Sequence, residues 1–243
     1  ELAETYHVTV HAAQSGYTQT GINLGSDRAV RLKRPKIIVA TGSPVGTESF
    51  GALWSMFDLQ YGIEFIPMKL SQIRNADLHD YTALVFPDDN ANGRGYRSVL
   101  DSSAAQAIRS WIADGGTFIG IEGGAAFASA SVGKISGVRI KEKKKGEQDA
   151  KKDTGKTKGD GLSDEELEKR MTVEQRERKS RLESIPGTMM QVTLDNSHPL
   201  GFGYDSLITV LKTSRTMFEL SDRGYNVGTY TKAPRLSGYI SRE

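Results

Sequence analysis

Apolar and polar positions along this chain fall into blocks of differing period. Lys36 to Thr41 (Lys-Ile-Ile-Val-Ala-Thr) is an apolar run between Pro35 and Gly42, the mark of a strand covered on both faces. Phe50, Leu53, Trp54, Phe57 and Tyr61 follow at i, i+3, i+4, i+7 and i+11, drawing one apolar stripe along a helix. Ile63 to Met68 and Thr82 to Pro87 are further strand-like runs, and the second ends in Asp88-Asp89-Asn90 and a polar loop to Gly95. Ala104, Ala107, Ile108, Trp111 and Ile112 return to helical spacing, and Asp114-Gly115-Gly116 supplies a glycine stop. Strand and helix periods that alternate in this way predict an α/β fold that opens with parallel strands.

The sharpest change of pattern lies at Thr117 to Phe127. Phe118, Ile119 and Ile121 form an apolar run that stops at Gly123-Gly124, and the small residues from Ala125 to Ser131 suit the start of a closely packed helix. Strand, sharp turn and helix are expected here. Gly120-Ile121-Glu122-Gly123-Gly124 has the spacing Gly-x-nucleophile-x-Gly of a nucleophile elbow, with Glu122 where a thiol or hydroxyl would stand. Open α/β sheets collect ligands at such turns, so Gly120, Glu122, Gly123 and Gly124 are pocket candidates, with Asp88, Asp89 and His198 as further ones.

Arg139 to Glu183 departs from this order. Lysine, glutamate, aspartate and glycine dominate, with almost no apolar residue before Leu162, so the first half has too little to bury. The second half suits a helix, with a capping box at Ser163 and Glu166 and i, i+4 pairs at Glu166/Arg170, Glu174/Arg178 and Glu177/Arg181. The span 139–184 is therefore read as a charged insertion, partly disordered or helical, whose balanced signs suit a solvated or partner-facing surface. Met189 to Leu194 alternates like a strand, and Ile208 to Leu211, Met217 to Leu220, Val227 to Thr231 and Ser237 to Ile240 are short β-prone runs that add strands at the C-terminal end. Upstream, Tyr6 to Val10 is β-prone, Ser15 to Ser26 is turn-rich and Arg31 to Pro35 is a basic linker, so residues 1–34 read as a connector and 35–243 as the α/β domain. Leu236 to Ser241 reads as a strand cut short, which suggests a piece of a longer protein.

Charge and composition narrow the chemistry. A net charge of +2 over 243 residues gives no field suited to nucleic acid. The absence of cysteine excludes disulfides, thiolate nucleophiles and thiolate metal sites. No apolar run reaches the ~18 residues of a membrane span. The opening Glu-Leu-Ala-Glu lacks the basic-then-apolar order of a signal peptide. Gly42 to Thr47 lacks the Walker lysine and the third glycine of a dinucleotide loop, and Glu48 would repel a phosphate; Thr47 is read as an N-cap. Asp88 and Asp89 alternate in direction on an extended backbone, which favours turn and cap roles over a metal pair.

Gly115 to Ile119, the glycine elbow, Ile185-Pro186-Gly187-Thr188 and Asn196-Ser197-His198-Pro199-Leu200-Gly201-Phe202-Gly203-Tyr204 resemble the domain that follows the catalytic unit in large bacterial zinc carboxypeptidase-like proteins. That domain is similar in fold to class I glutamine amidotransferases, a flavodoxin-like sheet. The resemblance runs from about Gly21 to the C-terminus. It implies an upstream peptidase unit of carboxypeptidase A type that carries the zinc, a secreted or periplasmic location, and a peptide as possible ligand. The peptidase motif His-x-x-Glu is absent: His7, His11, His79 and His198 have Val10, Gln14, Thr82 and Gly201 three residues on, so no cofactor is expected in this segment.

An amidotransferase needs a thiolate at the elbow. A carboxylate there would form an unstable mixed anhydride and is a poor nucleophile toward an amide, so the resemblance implies a scaffold without that chemistry, in which Glu122 caps the next helix through its side chain or marks a vestigial pocket. Two alternatives stand beside it. One is a hydrolase with Glu122 as general acid or base and Asp88 or Asp89 as partner; the other is an interaction module built on the charged insertion.

Overall fold

The computed structural model describes residues 2–5, 7, 9–28, 34–130, 134–141, 171–183, 185 and 187–239. The chain divides into two compact units, Glu1–Pro35 and Lys36–Glu243. The first carries a short helix, α1 (Leu2–Thr5), and a turn in which the Thr18 N–H and hydroxyl donate to Asn23 Oδ1 at 2.8 and 3.1 Å. The strand expected over Tyr6 to Val10 does not form at His7, Thr9 or Val10, and Tyr6 and Val8 lie outside the described residues. A β-prone run without a partner strand has nothing to satisfy its backbone groups.

The second unit opens with β1 (Ile37–Thr41), α2 (Thr47–Trp54), β2 (Phe65–Lys69), α3 (Leu70–Ile73), β3 (Ala83–Phe86), α4 (Arg94–Val99), α5 (Ser102–Ala113), β4 (Thr117–Gly120) and α6 (Gly123–Ser129). The four strands form a parallel sheet in the order β2-β1-β3-β4, with Ile38 beside Ile66 and Leu84, and Leu84 beside Phe118. The central strands β1 and β3 are covered on both faces, as their continuous apolar runs require. Ile38, Leu84 and Phe86 pack with Tyr96, Ile108 and Phe127 on one face, while Val39 and Val85 meet Leu53 on the other. Each such side chain, once buried, contributes about 1.5–3 kcal/mol. Pro67 is tolerated within β2 because that strand lies at the sheet edge.

Two helical stripes differ from their expected faces. A π-helical turn, Ser55–Gln60, continues α2, and its wider winding rotates the residues after it. Phe57 meets the Phe65 ring at 5.7 Å, but Tyr61, after the turn, faces outward at 67% exposure, and Trp54, the last residue of α2 before it, is 44% exposed. On α5 the buried face is Ala104, Ala105, Ile108 and Trp111, with Ala107 exposed. Alanine is neutral in periodicity, so the larger Ile108 and Trp111 decide which way the helix turns. Thr47 is the first helical residue rather than the cap: Gly46 caps α2 and gives its N–H to the Asp88 carbonyl at 2.8 Å.

Helix α7 (Val173–Glu183) lies in the charged insertion, where Glu174 and Arg178 share it. The capping box at Ser163 and Glu166 and the Glu166/Arg170 pair lie outside the described residues, as do Arg31, Pro186 and Ile240. The C-terminal strands do not extend the parallel sheet. β5 (Thr188–Leu194), β6 (Leu207–Lys212) and β7 (Gly228–Gly238) make a separate antiparallel sheet in the order β6-β5-β7. Neighbouring segments pair antiparallel through local connections, whereas joining β4 in parallel would need a long crossover. Gly228 to Thr231 and Ser237 to Gly238, from two runs expected as separate strands, belong to the one strand β7, and Met217 to Leu220 contributes a bridge between Phe218 and Ile140. β7 slips past β5, because five steps along it, from Tyr230 to Arg235, cover the two steps from Val192 to Met190. Pro234 falls inside this slip, on the sheet's outer strand.

Candidate functional site

The carboxyl ends of β3 and β4 carry the site. β4 ends at Gly120, and the chain turns through Ile121 and Glu122 directly into α6. Glu122 adopts φ 46°, ψ −103°, a backbone state that L-residues hold only when their surroundings impose it, at a cost of about 1–3 kcal/mol. The surroundings are specific. The Ile121 N–H donates to the Phe86 carbonyl at 2.9 Å, and the Ala126 N–H to the Glu122 carbonyl at 2.9 Å. A Cβ on Gly120 would come within 2.7 Å of the Ala125 nitrogen, and one on Gly124 within 2.8 Å of the Phe86 Cβ. These two glycines let helix and strand approach until the turn can take no other shape.

Asp88 and Asp89 are both drawn into backbone work. Asp88 Oδ1 accepts from the Gly123 N–H at 2.8 Å and so caps α6, while its own N–H donates to Ser49 Oγ at 2.9 Å. Glu122 makes no capping bond with its side chain, which corrects that expectation: the neighbouring strand supplies the cap. Asp89 is buried; its Oδ1 accepts from Ala91 and Gly93 at 3.0 and 2.8 Å and its Oδ2 from Gly95 at 2.7 Å. The two carboxylates therefore hold the loop after β3 and the start of α6 together. Burial, and then the charges of Asp89 and Asp88, push the Tyr96 hydroxyl well above the ordinary phenol value, and that hydroxyl donates to the Pro87 carbonyl at 2.8 Å.

Glu122 itself is exposed and stands at the wall of a cleft of ≈ 540 Å³. Asn92, another residue at positive φ (53°), lies on the same side. Opposite stand Lys212 at the end of β6, the 213–221 segment, and Tyr225 to Tyr230. Asn92 Oδ1 accepts from the Thr216 hydroxyl at 2.9 Å, which ties the two sides together. Lys212 Nζ donates to the Thr216 carbonyl at 2.8 Å and lies 5.9 Å above the Tyr230 ring. Burial lowers the Lys212 pKa, and the negative charge of Glu122 opposes that shift; burial alone raises that of Tyr230.

Of the residues singled out in the sequence, Gly120, Glu122, Gly123, Gly124, Asp88 and Asp89 are brought together at this turn. His198 is not: its Nδ1 accepts from the Leu200 N–H at 3.2 Å and its ring lies 5.1 Å from that of Tyr225, which lines the cleft in its place. Among the described residues no group of three His, Asp or Glu side chains could hold a metal ion. No helix among them is long and apolar enough to cross a membrane. Asn92, Lys212, Thr216 and Tyr230 escape a reading of local motifs. One signal was present: Lys212 shares strand parity with Ile208 and Val210, whose side chains face inward. Comparison with protein-family models, curated proteins and solved structures gives no match to this chain, so its site stands on its own geometry.

Proposed function

We propose that this chain is a non-catalytic domain of class I glutamine amidotransferase type, accessory to a bacterial zinc carboxypeptidase-like protein, and that it binds a peptide in the cleft beside Glu122. Its sheet order, with the first two strands exchanged and all four parallel, suits the flavodoxin-like arrangement of that class. The zinc of such a protein belongs to the upstream peptidase unit, and the location that goes with it is secreted or periplasmic.

One observation carries the non-catalytic part. Acyl transfer at a nucleophile elbow needs both an attacking group and a free N–H on the following residue to hold the developing oxyanion. Here the attacking position holds a carboxylate, and the Gly123 N–H is bound to Asp88 at 2.8 Å. Attacker and oxyanion donor are both lost. The hydrolase alternative gains nothing from Asp89, both of whose oxygens accept backbone N–H groups, while Asp88 has one oxygen engaged as the cap of α6.

The test is glutamine hydrolysis by purified protein at stoichiometric enzyme. Ammonia release at the buffer rate is expected; release above it that Glu122→Gln abolishes would overturn the reading in favour of acid–base hydrolysis. The accessory role is checked separately in the complete gene product, where His-x-x-Glu and a distant third ligand are expected before residue 1 of this chain.

A further inference from the structure

We infer that the cleft selects a zwitterionic dipeptide with apolar side chains, its ammonium end on Glu122 and its carboxylate end on Lys212. The inference rests on the cleft being a binding site, not on the peptidase context. Glu122 is carried into the cleft by a strained backbone and makes no capping bond. A residue held at such a cost whose side chain makes no structural bond is a candidate for a ligand contact.

Lys212 is its counterpart. An ammonium has three donors, and Lys212 gives one to the Thr216 carbonyl at 2.8 Å. Glu122 and Lys212 feel each other's charge but do not close on one another as an ion pair. Glu219 also lines the cleft, so one ammonium faces two carboxylates, and a molecule that carries both charges complements that lining better than one that carries either alone.

The volume and lining of the cleft bear on length and character. Two residues of extended chain span about 7 Å. A free amino acid keeps its charges on a single carbon and leaves much of ≈ 540 Å³ unfilled. Met217, Phe218 and Tyr230 offer apolar surface for two side chains. With Asn92 Oδ1 taken by Thr216, the Asn92 amide nitrogen can donate to the central peptide carbonyl.

Calorimetry on the full chain tests this with Leu-Phe, N-acetyl-Leu-Phe, Leu-Phe amide and free phenylalanine. Leu-Phe is expected to bind best, with about tenfold loss when either end is blocked, the cost of one ionic contact of ~1.4 kcal/mol. Glu122→Gln should weaken Leu-Phe but not N-acetyl-Leu-Phe, and Lys212→Met should weaken Leu-Phe but not the amide. Those paired insensitivities distinguish a lost contact from a misfolded variant. Equal binding of blocked and free dipeptides, tighter binding of phenylalanine, or no heat with Leu-Phe up to its solubility limit would overturn the inference. If glutamine hydrolysis is also absent, the non-catalytic reading survives that failure.

Discussion

Single side chains that accept from backbone N–H groups do much of the local organising. Asp101 receives the N–H groups of Ser103 and Ala104 at 3.1 and 3.0 Å at the start of α5, with the Ser103 hydroxyl at 2.7 Å and Arg74 paired to its other oxygen. The Ala104 N–H, and then the Ser103 hydroxyl, hold its carboxyl below the ordinary value of 3.8. A depressed carboxylate contributes stability that is present above its unfolded pKa and is lost as pH falls through the folded one. Asp101→Asn keeps an acceptor but removes the charge. It should be less stable than the parent at neutral pH, with the gap closing below about pH 3.8 in denaturation midpoints measured against pH. The sequence foretold helix α5 through Ile108 and Trp111, but not its exact face, because Ala105 and Ala107 differ by packing rather than by hydrophobicity. Strand parity alone hinted at Lys212. A lysine at the end of a strand is usually solvated, and only the tertiary approach of Asn92 and Glu122 gives this one a role.

The turn between β4 and α6 is where sequence and structure agree most closely, since its glycines are demanded by short-range geometry. Gly123 is confined from two sides, and a Cβ there would press on Asp88 and Asp89 as well as on the Asp89 nitrogen at 2.9 Å. Gly123→Ala should therefore cost about 1–3 kcal/mol in chemical denaturation. Gly51→Ala is the control: Gly51 lies within α2, a Cβ there meets nothing within 4 Å, and the change should add about 0.5–1 kcal/mol. If both variants move the same way, crowding does not hold the turn. The π-helical turn after α2 had no such local signature. Phe57 suits an ordinary helix as well as a wider one, and in the wider one its ring meets Phe65 edge-on.

In the Lys36–Glu243 unit, the strands with continuous apolar runs became the centre, and those with alternating runs became a sheet with one open face. β1 and β3 are paired on both sides and covered on both faces, whereas β6 and β7 are outer strands. Hydrogen exchange followed by mass spectrometry should find the amides of β1 and β3 slowest and those of β7 among the first to exchange. Early exchange in β3 would mean that the parallel sheet is not the stable nucleus of the unit. The separation of the two sheets was beyond sequence reading, since a β-prone run does not state which neighbour it will choose.

The slip of β7 against β5, with Pro234 inside it, bears on concentrated solutions. An outer strand of regular register offers a ladder on which a second copy can dock and begin a fibril. Here the missing donor at Pro234 and the broken spacing around it interrupt that ladder, so this margin of the molecule resists self-templated aggregation despite its length.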